Sequence, residues 1–253
     1  MPSKRFNLVI RNKIPSFKKI IKVDSDKSIS IRSLLVGSIS NGASYVSNIL
    51  ESEDVFSTIN CLKKLGVKIK KIKKKDYLIY GKGLGSLNIK KNNQLNFGNS
   101  GTLARLLLGI LTTTRGINVR IIGDNSLNKR SMKSLIDLMS KFGATFLPKR
   151  KFNFPLKLIS SDMAVGINYT AGVSAQLKSA VILAGLNAYG NTTIIESKRS
   201  RDHTENMLIK NSEVLKIRNK KKRIIKVYGK RNLNPLKINV PSDPSSAAFF
   251  AAL

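Results

Sequence analysis

Apolar positions along this chain fall into helical and strand-like spacings that return in the same order. Ile31, Leu34, Leu35 and Ile39 keep helical spacing and predict a helix over residues 28–39. Gly42 reads as its end and residues 45–50 as a strand. Val55, Ile59 and Leu62 share one face of a second helix, residues 54–65, with Gly66 as its C-terminal stop. Residues 67–72 and 77–80 alternate like paired strands. The order then repeats as a helix over 102–111, a strand over 119–122 and a helix over 131–142 ended by Gly143. Leu135, Leu138, Met139 and Phe142 form the buried face of that helix. A third pass has a nearly all-apolar helix over 175–188 and strands over 192–196 and 224–228. Between those strands, Asp202-His203-Thr204-Glu205 reads as a capping box. Residues 6–10 and 20–23, ahead of the first helix, read as strands.

Each apolar helix opens on a short polar segment: Asp26-Lys27-Ser28, Asn99-Ser100-Gly101-Thr102, Ser174-Ala175-Gln176 and, a fourth time, Asp243-Pro244-Ser245. Successive copies start roughly 70–75 residues apart, the mark of an internal repeat. The repeat puts Lys27, Arg130 and Arg201 at predicted helix starts. Helix N-termini already favour anions, so the pattern points to a site for a multiply anionic small molecule. The fourth copy places Pro244 where a missing N–H costs nothing. Residues 247–253 then begin an apolar helix that needs a partner surface, and the expectation is that residues are missing after Leu253.

The chain has 253 residues, enough for one large domain or two modest ones. Its net charge of +32 admits three explanations: nucleic-acid binding, an anionic substrate, or biased amino-acid usage. Lys outnumbers Arg, and Asn and Ile are plentiful, which fits an AT-rich coding sequence. The basic runs 68–75 and 219–223 lack interleaved aromatics for base stacking and read as solvated hairpin faces. Cys61 is the only cysteine and His203 the only histidine, which excludes an internal disulfide framework and argues against a Cys- or His-based metal site. The longest apolar stretch, residues 180–186, is too short to span a bilayer, and the N-terminus does not read as a signal peptide. A cytoplasmic protein with no membrane partner is the expectation.

Candidate chemistry sits at the helix openings. Lys27, Ser28 and Arg32 fall within about one turn of each other and can hold a phosphate and a carboxylate. Taken alone, they are equally an ordinary basic surface turn. Gly101 lets backbone N–H groups approach a ligand, although its segment alone is a helix cap. Arg130 is a candidate anion ligand or an ordinary surface arginine. Ser174 and Gln176 lie beside an apolar helix, and Lys178 within it must reach water, a partner anion or a ligand. Arg201 is a candidate anion clamp. His203 reads as structural or supporting rather than as a base, with Asp202 and Glu205 committed to capping.

In this order and spacing, the segments DKSISIR (26–32), LESEDV (50–55), NSGTLARLLLGIL (99–111), GDNSLNKRSM (123–132), SAQLKSAVILAGL (174–186), SRDHTENML (200–208) and VPSDPSSAAFF (240–250) resemble the EPSP synthase family. The resemblance implies an inside-out α/β barrel of three βαβαββ repeats, helices inside and sheets outside, with an active site in a cleft between two such domains. Residues 26–240 would be one complete repeat domain, and 1–25 and 241–253 pieces of a second, largely absent one. The implied reaction transfers the enolpyruvyl group of phosphoenolpyruvate to the 5-hydroxyl of shikimate 3-phosphate, by a monomer without metal or organic cofactor and without specific nucleic acid. By motif position, Lys27, Ser28, Arg32, Ser174, Ala175, Gln176 and Arg201 look like shikimate 3-phosphate contacts. Lys27, Gly101, Arg130 and Gln176 look like phosphoenolpyruvate contacts, with Lys27 also the catalytic residue. The family commonly has His at the position of Ile31, and its acidic proton-transfer residues fall beyond Leu253. Residues 1–253 alone are therefore expected to bind shikimate 3-phosphate weakly and to turn over negligibly. Glyphosate competes with phosphoenolpyruvate in this family, and the bare Gly101 implies a sensitive parent enzyme. The enzymatic alternative, a UDP-N-acetylglucosamine enolpyruvyl transferase, usually carries a cysteine on a flexible loop, whereas Cys61 falls inside a predicted helix. A basic nucleic-acid-binding protein is the alternative from another class and predicts steeply salt-dependent duplex binding.

Overall fold

A computed structural model of the chain describes residues 20–90, 94–210, 213–219 and 221–251. Its elements fall into three units of one plan. The first runs α1 (Lys27–Ile39), β1 (Asn41–Ser47), α2 (Glu53–Lys64), β2 (Lys68–Lys73) and β3 (Asp76–Lys82). The second runs β4 (Gln94–Asn96), α3 (Gly101–Thr112), β5 (Asn118–Ile122), α4 (Asn125–Lys129), α5 (Lys133–Lys141), β6 (Thr145–Leu147) and β7 (Leu156–Ile159). The third runs β8 (Asn168–Ala171), α6 (Ala175–Asn187), β9 (Asn191–Glu196), α7 (His203–Ile209), β10 (Leu215–Asn219) and β11 (Arg223–Tyr228). The chain continues through β12 (Lys237–Asn239) and α8 (Pro244–Ala251).

The second and third units form four-stranded sheets of the same order, β4-β5-β7-β6 and β8-β9-β11-β10. In each, the first two strands are parallel and the other pairs antiparallel. The first unit has no described strand ahead of α1. Its place is taken by β12, which pairs parallel with β1 at Tyr45↔Lys237 and Ser47↔Asn239, so the order β12-β1-β3-β2 matches the other two. Side chains fasten this closure: Ser44 Oγ accepts from Leu236 N at 2.8 Å, and Asn48 Nδ2 donates to Val240 O at 2.7 Å. The incoming and outgoing segments then run side by side, with Asp26 N on Pro241 O and Asp243 N on Asp24 O, both at 2.8 Å.

The sheets lie outside and the helices α1, α3 and α6 at the centre. Every residue from Ser30 to Ile39 in α1 is buried, as is every residue of α3 except Arg105, and α6 is buried from Lys178 onward. A helix buried all round must satisfy its own polar side chains. In α1, Ser30 and Ser33 donate back to the carbonyls of Asp26 and Ile29. The helix α3 meets α6 closely enough that a Cβ on Gly109 would stand 2.4 Å from the Ala180 carbonyl oxygen. The outer helices α2 and α5 bury one face each, with Leu135, Leu138 and Met139 inward in α5 as their spacing predicts.

Some expectations change. Residues 20–23 form no strand: their backbone joins no ladder among the described residues, and the segment's one pairing is the isolated bridge of Ser25 to Ser242 just beyond them. Residues 6–10 lie outside the described residues. Gly42, at φ +105°, lies within β1, and α1 ends at Ser40. The predicted helix over 131–142 is α5, which starts only at Lys133, and a separate short helix that the spacing does not predict, α4, precedes it, capped by Asp124 through Leu127 N. Arg130 therefore closes α4 instead of opening a helix. The expected capping box does not form. Asp202 takes Arg199 and Asn206, and Glu205 turns inward to Lys178. Among the described residues no helix is long and apolar enough to cross a membrane.

Candidate functional site

The three central helices start at one end of the molecule, and each start is capped by the polar segment read from the sequence. Asp26 Oδ1 accepts from Ile29 N at 2.7 Å, Ser100 Oγ from Leu103 N at 3.2 Å and Ser174 Oγ from Leu177 N at 3.3 Å. The remaining free N–H groups leave a positive end on each helix. Two cavities open there.

The first, about 290 Å³, is lined by Ser28 and Arg32 of α1, Ser174, Ala175 and Gln176 at the start of α6, and Ser200, Arg201 and His203. No carboxylate of the described residues lines it. Arg32 is almost fully buried, and its guanidinium donates only to neutral oxygens: Thr204 Oγ1 at 2.9 Å, Ser28 O at 3.0 Å and Ser179 Oγ at 3.3 Å. Burial brings it down to about 10, against the opposing pull of Glu205 and Asp26. A buried cation without a carboxylate is costly in the empty state and favours an incoming anion. Burial, and next the Arg32 charge, hold His203 below the ordinary histidine value.

The second cavity, about 360 Å³, is lined by Lys27, Asp54, Gly101, Arg105, Arg130 and Gln176, with Glu53, Asn99 and Thr102. Lys27 Nζ pairs with Asp54 at 3.1 Å. Arg130 donates to Asn99 Oδ1 at 2.8 Å and to Ser126 Oγ at 3.2 Å, and Arg105 to Gly101 O at 3.0 Å. Neither arginine has a carboxylate partner among the described residues. Burial, and then Arg130, lower the Arg105 guanidinium from its ordinary value. A Cβ on Gly101 would lie 2.9 Å from Arg105 Nη1 and 3.2 Å from Arg130 Nη1, so the absent side chain keeps the floor between two cations open. Gln176 lines both cavities, and its Nε2 donates to Thr102 Oγ1 at 3.0 Å.

All nine residues singled out in the sequence thus reach this end of the molecule, in two adjoining cavities instead of one. Lys27 lines only the second. Arg105 was missed, although an arginine inside the apolar run 103–111 is itself a signal. Ile31 is fully buried in the core. Cys61 is buried in α2, donates its thiol to Asn96 O, and is pushed up to about 12 by burial, a core thiol and not a reactive one. Among the described residues no group of three or more His, Cys, Asp or Glu gathers to hold a metal.

The model of the family described as EPSP synthase (3-phosphoshikimate 1-carboxyvinyltransferase) matches residues 12–253. The chain belongs to the EPSP synthase family. A 3-phosphoshikimate 1-carboxyvinyltransferase of Sulfurihydrogenibium sp. is 42% identical over 244 residues, covering 95% of this chain and 56% of the relative. The enzyme of that name from Bacillus subtilis is 40% identical over 247 residues, covering 96% and 55%. A solved EPSP synthase from Acinetobacter baumannii superposes with a TM-score of 0.81 at 36% identity, covering 91% of this chain and 51% of that one. The chain spans about half the length of the curated relatives it matches. The EPSP synthase fold expected from the sequence is borne out by that superposition and by the three equivalent sheets.

Proposed function

We propose that this chain takes part in the transfer of the enolpyruvyl group of phosphoenolpyruvate to the 5-hydroxyl of shikimate 3-phosphate. The observation that carries the reading is a pair of adjoining cationic cavities joined by Gln176, one of them without any carboxylate. Both substrates are anions, and each finds arginines and a capped helix start. Ser28, Arg32, Ser174, Ala175, Gln176 and Arg201 hold shikimate 3-phosphate in the first cavity, with the phosphate toward Arg32. Gly101, Arg130 and Gln176 hold phosphoenolpyruvate in the second, where Lys27 reaches toward both substrates.

The 5-hydroxyl oxygen gives up its proton and adds to C2 of phosphoenolpyruvate while C3 gains a proton, giving a tetrahedral phosphate-bearing intermediate. Loss of a proton from C3 then expels inorganic phosphate and restores the double bond. Cations fixed around both phosphates align the reacting atoms and stabilise the leaving phosphate. The domain reading is that residues 26–240 form one repeat domain and residues 1–25 and 241–253 belong to a second. Closure of the first sheet by β12 and the adjacent entry and exit segments support it. A lone buried thiol fits the reducing cytoplasm, and a monomer is the expected state.

Titration calorimetry of the 253-residue chain tests the reading. Saturable one-to-one binding of shikimate 3-phosphate is expected, weakened about 30-fold in Arg32→Met by loss of charge-assisted hydrogen bonds. Wild-type binding that Arg32→Met leaves intact contradicts it.

A further inference from the structure

The most deeply buried charges of this chain line neither cavity. Lys178, Glu196 and Glu205 have fully buried side chains, and Arg223 is nearly so. Lys178 Nζ lies 2.8 Å from Glu196 Oε1 and 2.7 Å from Glu205 Oε1. Arg223 Nη1 lies 3.0 Å from Glu196 Oε2 and 3.6 Å from Glu205 Oε1. The four charges cancel. Burial of four charges is expensive, and such a set is weak evidence for stability by itself.

Its members are chain neighbours of the first cavity's wall. Lys178 lies one turn into α6, and the adjacent Ser179 Oγ accepts from Arg32 Nη2 and from Thr204 Oγ1. Glu196 ends β9, and its Oε1 accepts from both Ser200 N at 2.8 Å and Ser200 Oγ at 2.7 Å, next to Arg201. Glu205 follows Thr204, whose Oγ1 accepts from Arg32 Nε. Both Glu205 carboxylate oxygens are buried without a hydrogen-bond donor, so Oε1 is held to Lys178 as an ion pair alone. Of the acids around Arg32, Glu205 acts on its charge most strongly, ahead of Asp26, yet its carboxylate pairs with Lys178.

We propose that Lys178 is a positioning residue for the first cavity: by gripping Glu196 and Glu205 it latches Ser200 and Arg201 against α6 and keeps Glu205 from neutralising Arg32. This rests on the reading that the cavity takes a phosphate ester. An Arg32 that no carboxylate bonds directly can turn its charge to an incoming phosphate. One paired with Glu205 must first be released.

The test combines anion binding with hydrogen exchange at the Ser200 amide, on the 253-residue chain. In Lys178→Met, affinity for inorganic phosphate and shikimate 3-phosphate is expected to fall about tenfold, with faster Ser200 exchange. In Lys178→Met/Glu205→Gln the competing acid is gone, and affinity returns to near the wild-type value. A residue that merely props the core predicts a double variant no tighter than the single, and that outcome overturns the proposal. So does a folded Lys178→Met with unchanged affinity and exchange. Should Lys178→Met not fold, Glu205→Gln decides. Lys178 keeps Glu196, Arg32 loses its competitor and phosphate binds more tightly, whereas weaker binding refutes the idea. Ser200 exchange needs no ligand, which separates the two readings. A wild-type chain that binds neither anion overturns the cavity assignment, and unaltered exchange in Lys178→Met overturns the latch.

Discussion

Single residues shape these cavities. Gly101 is the clearest case, because the space a methyl would fill is bounded by Arg105 Nη1 and Arg130 Nη1. A Gly101→Ala change in an active enzyme carrying this chain is expected to weaken glyphosate and, to a lesser degree, phosphoenolpyruvate. Inhibition curves at several phosphoenolpyruvate concentrations measure both, and unchanged inhibition contradicts the assignment of Gly101. Glu196 is decisive in a different way. Burial pushes its carboxyl up, but the hydrogen bonds from Lys178 and Ser200 outweigh that and bring it down to about 2. A carboxyl depressed in the folded state contributes stability that is present above its unfolded value and is lost as pH falls toward the folded one. Urea unfolding is therefore expected to lose about 3 kcal/mol between pH 5 and pH 2 through this group alone. The loss is expected to be smaller in Glu196→Gln.

At the scale of elements, the crossing of α3 and α6 sets the geometry of both cavities, since Gly101 opens one helix and Gln176 the other. The helices approach this closely because Gly109 faces the Ala180 backbone without a side chain. Backbone cannot yield as a side chain can, so Gly109→Ala is expected to destabilise the fold by about 3 kcal/mol or more. Thermal unfolding reads the loss, and a separated α3 and α6 also weaken anion binding. The two-part passage α4 then α5 has a related role. The non-helical residues 130–132 between α4 and α5 let Arg130 turn back to Asn99 instead of following a helix axis. The expected helix over 131–142 has the right buried face and begins at Lys133, while α4 ahead of it depends on the Asp124 cap, which hydrophobic spacing does not register.

At the scale of the molecule, the first sheet is completed by the far end of the described chain. Leu233, Leu236 and Val240 are buried along that return, and β12 occupies the edge of β1. A chain ending at Arg231 is expected to lose cooperative unfolding in calorimetry, because it forfeits three buried side chains of about 2 kcal/mol each and leaves β1 unpaired. Retention of a sharp wild-type transition would contradict that account. The repeat, the central helices, their caps and nearly every cationic cavity residue were legible in the sequence, because periodicity and capping are local and each copy restated them. Arg105 stands outside the repeated polar segments, and only its place inside an apolar run marks it. What the linear chain could not express is which distant groups meet. Only the tertiary structure drew Glu205 from its expected cap to Lys178, set two cavities on either side of Gln176, and brought residues 237–239 back to pair with β1. Those outcomes depend on burial and pairing energies between segments far apart in sequence, and no short window of residues contains them.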